Sequence, residues 1–184
     1  MKRKTCTACG AEFLATNMGQ KACSVPCALQ HTRQKRENAA RKSFKAETRR
    51  RKASLRTPSD ACKAAQKAFN KYIRVRDMGN PCISCGKPLQ PGKGTHAGHY
   101  RTTAAASQLR FNTYNCHAQC YSCNTAKSGA IGDYRIAIVQ RYGEERVEWL
   151  DNYNAIAAYD MDYYNRIRDV FNKRARHLAK LRGH

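Results

Sequence analysis

The sequence predicts an α+β protein with a small metal-stapled core, flanking helices, a separate cysteine-rich unit and a basic helical arm. Three observations predict it. Eight of the ten cysteines fall into short pairs: Cys6 and Cys9 with Cys23 and Cys27, then Cys82 and Cys85 with Cys120 and Cys123. The one strand-like stretch, THAGHY, is short and lies between the second set of pairs, whereas helical apolar spacing recurs on either side. Between the two cysteine sets runs a long segment of Lys, Arg, Ala and Gln, residues that favour helix.

Taken in order, the chain reads as four pieces. Residues 1–30 hold CTACGAEF and CSVPC, a zinc-ribbon-like unit too short for an ordinary core, so bound metal would supply much of its folding energy. Residues 31–57, HTRQKRENAARKSFKAETRRRKASLRT, carry almost no apolar stripe; Phe44 and Leu55 stand nearly alone. A helix without an apolar face is solvated, bridging or ordered by a partner, so this piece reads either as a basic arm or as a charged linker that touches nothing.

Residues 58–131 open with a helix capped at Ser59 and running to about Asp77, with Ala65, Phe69, Tyr72, Ile73 and Val75 on its packing side. MGNP ends it. CISCG, a Pro/Gly loop (KPLQPGKG) and THAGHY follow. The loop RTTAAASQLRF then leads to NTYNCHAQCYSCNTAKSG, where the second cysteine pair opens a short helix bearing Asn124 and Lys127. Residues 132–184 predict three helices, and the tyrosine-rich stripe of the last reads as packing surface rather than a base-stacking platform.

Charge narrows the function. Lys and Arg number 35 against 13 acids, a formal net charge of +22. Self-repulsion of that size points to a polyanionic partner, and nucleic acid leads. The charge is graded: residues 1–57 hold 15 basic and 3 acidic side chains, residues 58–128 hold 10 and 2, and residues 129–184 hold 10 and 8. The nucleic-acid face should therefore lie in the first two segments, with Arg49, Arg50 and Arg51 the densest cluster of the arm. No run of about 18 apolar residues could span a bilayer. MKRKTCTACG has no apolar stretch behind it and is no secretory signal. A reducing cytoplasm is expected, and there paired cysteines mean zinc rather than disulfides. Two sets of four thiolates give two closed tetrahedral zinc sites, leaving Cys62 and Cys116 as small buried apolar residues.

A closed zinc site does no catalysis, yet the 34-residue insert that the second site closes carries His96, His99, Asn115 and His117, and Asn124 follows the last cysteine. Phosphodiester hydrolysis needs a base for water, a divalent cation for the scissile phosphate and cations to hold the backbone. Histidine titrates near neutrality and suits the base. An Asn oxygen suits a hard ion such as Mg²⁺. Arg101, Arg110 and Lys127 would contact phosphates.

The order CxxC, AGHYR, then N-x-H-x-Q-C-x-x-C-N-x-x-K resembles a zinc-supported HNH, or ββα-metal, endonuclease. The block THAGHYRTTAAASQLRFNTYNCHAQCYSCNTAKSG resembles more closely the NinG (Rap) recombination proteins of lambdoid phages. So do the N-terminal CxxC…CxxxC unit, the basic arm and the AFNKYIRVRD helix. The resemblance is strongest from Ala64 to Tyr134 and weakest in the last fifty residues. It implies an HNH-like core and an endonuclease for branched DNA, such as D-loops and Holliday junctions, in the cytoplasm of a bacterial host. In it His99 would be the general base, Asn115 would orient the base or its loop, and Asn124 would ligate a catalytic Mg²⁺ or Mn²⁺. The four cysteines around them would hold structural zinc. A symmetric cut of a four-way junction would call for two active sites and hence a homodimer.

One position departs from the pattern. Many HNH enzymes carry an Asp or His ligand immediately before the base, and here that residue is Gly98. Relatives with the AGHY form often show Asp where this chain has His96. Either His96 or His117 would then be the second ligand of the catalytic ion. His96 and His99 as zinc ligands, and His117 as a satisfied core histidine, are the competing structural readings. A non-catalytic DNA-binding recombination mediator uses the same charge and the same cysteines. It has no need of His99, Asn115 and Asn124 together. RNA is the weaker partner, since few aromatics lie in the basic regions to stack unpaired bases.

Overall fold

The computed structural model describes residues 2–90 and 94–183; Pro91 to Lys93, the middle of the expected Pro/Gly loop, lie outside the described residues. The chain forms two compact units, Met1–Arg56 and Thr57–His184.

In the first unit, β1 (Lys2–Thr5) pairs antiparallel with β2 (Glu12–Ala15). The CTACG turn between them closes on itself, with Gly10 N–H donating to the Cys6 carbonyl at 2.9 Å. Gly10 takes φ +77°, a conformation that a side chain would strain. Helix α1 (Val25–Ser54) starts with Pro26 in its first turn, where a missing N–H costs nothing. It has no buried residue. The helix runs unbroken from Cys27 through the whole basic segment, so no boundary falls at residue 31. At about 1.5 Å per residue its 30 residues extend about 45 Å.

The second unit is α+β with one two-stranded sheet among the described residues. Helix α2 (Pro58–Arg76) is capped by Thr57, not by Ser59 as the sequence suggested. The reason is a reciprocal capping box: Thr57 Oγ1 accepts from Asp60 N–H, while the Asp60 carboxylate accepts from Thr57 N–H. Pro58 then occupies the first turn. Strand β3 (Thr95–His99) pairs antiparallel with β4 (Cys116–Cys120), in a register that sets Gly98 opposite His117 and His96 opposite Gln119. A single wide turn of helix, Ser122–Ala126, follows β4. The chain continues as α3 (Ile131–Tyr142), α4 (Glu144–Asn152) and α5 (Met161–Leu181).

The two faces of the β3–β4 hairpin serve two apolar cores. On one face Ala97 and Cys116 pack with Ala65, Phe69 and Ile73 of α2 and with Phe171 of α5. Phe69 and Phe171 meet edge to face at 4.8 Å, a favoured aromatic geometry. The Tyr163–Tyr164 end of the tyrosine stripe packs on this core. On the other side Tyr134, Ile138, Val147 and Leu150 form the second core with Tyr100 and Leu109. The C-terminal helices therefore belong to the same compact body as the hairpin.

An ion pair with a buried carboxylate locks α2 to β4. Arg76 grips Asp77 through two bonds of 2.7 and 2.8 Å. Its remaining N–H groups reach the carbonyls of Thr113 and Cys116. Asp77 in turn accepts from Ala118 N–H at 2.9 Å. Burial raises the Asp77 pKa, but the guanidinium outweighs it and holds the carboxyl below its usual range.

Candidate active site and metal centres

Both cysteine sets converge. The ligand atoms of Cys6, Cys9, Cys23 and Cys27 lie within 4.8 Å of one another, and so do those of Cys82, Cys85, Cys120 and Cys123. Each set begins with the same turn, in which a glycine with positive φ follows the second cysteine: Gly10 at +77° and Gly86 at +68°. Each also aims backbone N–H groups at sulfur, Cys23 N–H at Cys6 Sγ and Cys120 N–H at Cys82 Sγ, both at 3.4 Å. N–H groups of Cys9, Cys23 and Ala8 lower the Cys6 thiol to about 6. Against the opposing effect of burial, N–H groups of Cys120, Cys85 and Ser84 lower Cys82 to about 7. The neighbouring thiols are pushed up, Cys23 by hydrogen bonds with the Cys9, Cys6 and Cys27 thiols, and Cys123 first by burial and then by the Cys85 and Cys120 thiols. Four soft thiolates at this spacing suit structural zinc and leave no open position. No histidine shares either set among the described residues, so His96 and His99 are not zinc ligands.

Around the second set, β3 and the short helix bring His99 and Asn124 onto one cleft, which Ala97, Thr102, Thr103 and Gly129 help to line. The His99 ring rests near Phe69, 5.9 Å between centroids. Its Nε2 lies 2.9 Å from the Arg110 carbonyl. A carbonyl only accepts, so Nε2 carries the proton and Nδ1 is the basic nitrogen. The neighbour of Nδ1 is the Cys116 thiol at 3.7 Å, a weak contact. Burial lowers the His99 pKa, which keeps the imidazole neutral at pH 7.

The other expected residues fall into different places. Asn115 is fully buried. Its Oδ1 accepts from Arg101 N–H at 2.8 Å, and its Nδ2 donates to the carbonyls of Arg101 and Leu109. Every polar atom of that side chain is spent on the loop after β3, so Asn115 holds the loop and touches no substrate. His117, 1% exposed, is withdrawn from the cleft. Tyr134 OH donates to the Gly98 carbonyl, which leaves its oxygen to accept from His117 Nδ1, while Tyr142 OH meets Nε2 at 2.8 Å. Burial and the nearby Arg76 push its pKa down to about 3. With both nitrogens engaged, His117 is a core histidine and not a ligand of a catalytic ion. His96 faces Gln119 across the hairpin, with its ring 5.8 Å from that of Tyr121, and it does not line the His99–Asn124 cleft.

Arg101 is likewise spoken for. It donates to the carbonyls of Leu150 and Tyr153 and to Asn154, tying the loop to the end of α4, which removes it from the expected phosphate contacts. Arg110 reaches Gln66 and the Thr103 carbonyl through longer bonds of 3.3 and 3.4 Å and remains beside the cleft. Lys127, Arg49, Arg50 and Arg51 are exposed.

The sequence reading missed Gln119. Its amide nitrogen donates to Ser84 Oγ and to the Gly129 carbonyl, both at 2.7 Å. The Gly129 partner is an acceptor only, so the amide cannot be turned over and Oε1 must face the other way. There it is buried without a hydrogen-bond partner. It faces Gly98. A methyl group at Gly98 would collide with Gln119 Oε1, and Asn124 Oδ1 lies 2.8 Å from the same position. Two amide oxygens thus converge over the residue that lacks a side chain. A hard, oxygen-only donor pair of this kind fits Mg²⁺ or Mn²⁺ and not zinc. The available signal was a glutamine set one residue before a cysteine ligand, in the otherwise buried strand CHAQC.

A family model described as Bacteriophage Lambda NinG protein matches residues 1–181. The "Protein ninG" of Escherichia phage lambda is 42% identical over 133 residues, 68% of this chain and 64% of that protein. That of Escherichia phage 933W is 41% identical over 133 residues, covering 68% and 65%. That of Salmonella phage P22 is 46% identical over 102 residues, covering 55% and 49%. The chain thus spans less than two thirds of the length of these relatives. No solved structure matches. No helix among the described residues is long and apolar enough to cross a membrane. Matched by that model over nearly all of its residues, this chain belongs to the bacteriophage NinG family.

Proposed function

We propose that this protein is a divalent-metal-dependent endonuclease of the HNH type that cuts branched DNA during phage recombination. One observation carries the reading. His99 is pinned through Nε2 by the Arg110 carbonyl and shares a cleft with Asn124, on a hairpin and helical turn closed by four cysteines. A scaffold would need only the cysteines.

In this reading His99 Nδ1 takes a proton from water as the water oxygen bonds to phosphorus and the P–O bond to the leaving oxygen breaks. The carbonyl behind Nε2 holds the ring in that tautomer and stabilises the imidazolium that forms. Asn124 would help hold the divalent cation, which supplies neutralisation of charge on the scissile phosphate. Arg110 and Lys127 would bear on the DNA backbone near the cut, and the exposed arginines of α1 would bind phosphates farther along. Such a protein would act in the host cytoplasm, where its thiolates stay reduced. The net charge of +22 serves binding of any DNA, so preference for a branch would come from shape.

Nicking of labelled DNA by wild type and His99→Ala, at matched zinc content, tests this. The rate should fall roughly 10²- to 10⁴-fold with DNA affinity kept. Equal rates would remove His99 as the base.

A further inference from the structure

We propose that Gln119 is the second protein ligand of the catalytic cation, doing from β4 what an acidic or histidine side chain at position 98 would do from β3. The inference rests on the endonuclease reading and deepens it.

Three observations converge. Gln119 Oε1 is the one buried side-chain nitrogen or oxygen among the described residues with no hydrogen-bond partner in the protein. Leaving such an acceptor unmet is costly, so its retention calls for a donor or a cation from outside the chain. Its direction is fixed, because Nε2 is held from behind by Ser84 and Gly129. The space it enters exists only because residue 98 is glycine, and Asn124 Oδ1 enters the same space. Gly98 has ordinary extended backbone, so flexibility does not explain the glycine. Room for the glutamine does.

A pair of neutral oxygens has a chemical consequence. Mg²⁺ and Mn²⁺ are commonly held by one or two protein groups together with water and substrate phosphate. With no carboxylate in the pair and a strongly positive chain around it, DNA phosphate must complete the site. Cation binding should therefore follow DNA binding. His96, opposite Gln119, is then not required as a ligand.

The test counts bound Mn²⁺ by electron paramagnetic resonance. The sample is the full zinc-loaded chain carrying His99→Ala, in complex with a short four-way DNA junction, with the junction alone as blank. The parent complex should hold one Mn²⁺ beyond the blank. Adding Gln119→Met should weaken that ion about tenfold or more, with zinc content and the DNA affinity measured without divalent ions kept. Gly98→Ala, whose methyl would displace the Gln119 amide, should do the same while keeping the glutamine itself, and it decides the matter if Gln119→Met loses zinc. Asn124→Ala should also release the ion. Parent-like Mn²⁺ binding in both the Gln119 and Gly98 variants would overturn the proposal, and the endonuclease reading would stand if Asn124→Ala still lost the ion. No extra Mn²⁺ in the parent complex would overturn this proposal and the catalytic-metal reading together.

Discussion

The cluster of Cys6, Cys9, Cys23 and Cys27 and the cluster of Cys82, Cys85, Cys120 and Cys123 begin with the same CxxCG turn. The first sits on a hairpin of two four-residue strands and leads into α1, which buries none of its side chains. The second closes a hairpin flanked by two apolar cores and surrounded by buried Asp77, Asn115, His117 and Gln119. One metal site therefore has to carry its unit's folding, while the other secures a body that already packs. Buried polar groups are costly unless paired, so they gather where a core can hold them in place. That is why the candidate site lies beside the second cluster and the exposed charge beside the first.

The largest effect should come from removing metal. Under a strong chelator, β1 and β2 should lose protection from hydrogen exchange completely, whereas Phe69, Ile73, Tyr134 and Ile138 should keep part of theirs. Equal loss in both units would erase the distinction drawn between the clusters.

Breaking the Arg76–Asp77 lock comes next. Asp77→Ala leaves a partly buried guanidinium with only its carbonyl partners and should cost about 3 kcal/mol in denaturant melts. The same pair sets a pH dependence. Because the folded-state pKa of Asp77 is lowered, its stabilisation is full above the ordinary carboxylate value near 4 and is lost as pH falls through the folded value. Asp77→Asn should flatten that acid limb.

A smaller effect separates the two kinds of arginine. Neutralising Arg49, Arg50 and Arg51 to Gln should leave the melting temperature unchanged and shallow the salt dependence of DNA binding, by about 0.9 in log–log slope for each phosphate no longer neutralised. Arg101→Gln should do the reverse, lowering stability because the Leu150 carbonyl and Asn154 lose its guanidinium while the Tyr153 carbonyl keeps only Gln108, and leaving the slope alone. The smallest shift concerns pH and rate. Nicking should rise with pH through a midpoint below the ordinary histidine value of about 6.5 and then level off, since burial favours neutral His99. A midpoint above 6.5 would point to a different base.

Much of this was legible in the sequence because it is local. Metal-ligand spacing is set within four residues, so both cysteine sets could be read directly. The apolar spacing of Ala65, Phe69 and Ile73 likewise gave α2 its buried face. The Thr57 cap was also local, and the residues TPSD carry its signal. What could not be read depends on neighbours distant in the chain. His117 looks like a ligand until Tyr134 and Tyr142 close on both nitrogens. Arg101 looks like a phosphate contact until the end of α4 takes its donors. Gln119 looks like filler until Gly98, Ser84 and Gly129 give its oxygen a direction. Asn115 looks like part of the reacting set until burial and the backbone of Arg101 and Leu109 take every polar atom of its side chain.

The most direct measurement is cleavage of a labelled four-way junction beside linear duplex of the same sequence, with EDTA, Mg²⁺ or Mn²⁺, by wild type and His99→Ala. Cutting should need the added cation and His99, and should favour the junction. Tight binding to both DNAs with no cutting under any ion would contradict it and leave a zinc-stapled DNA-binding protein.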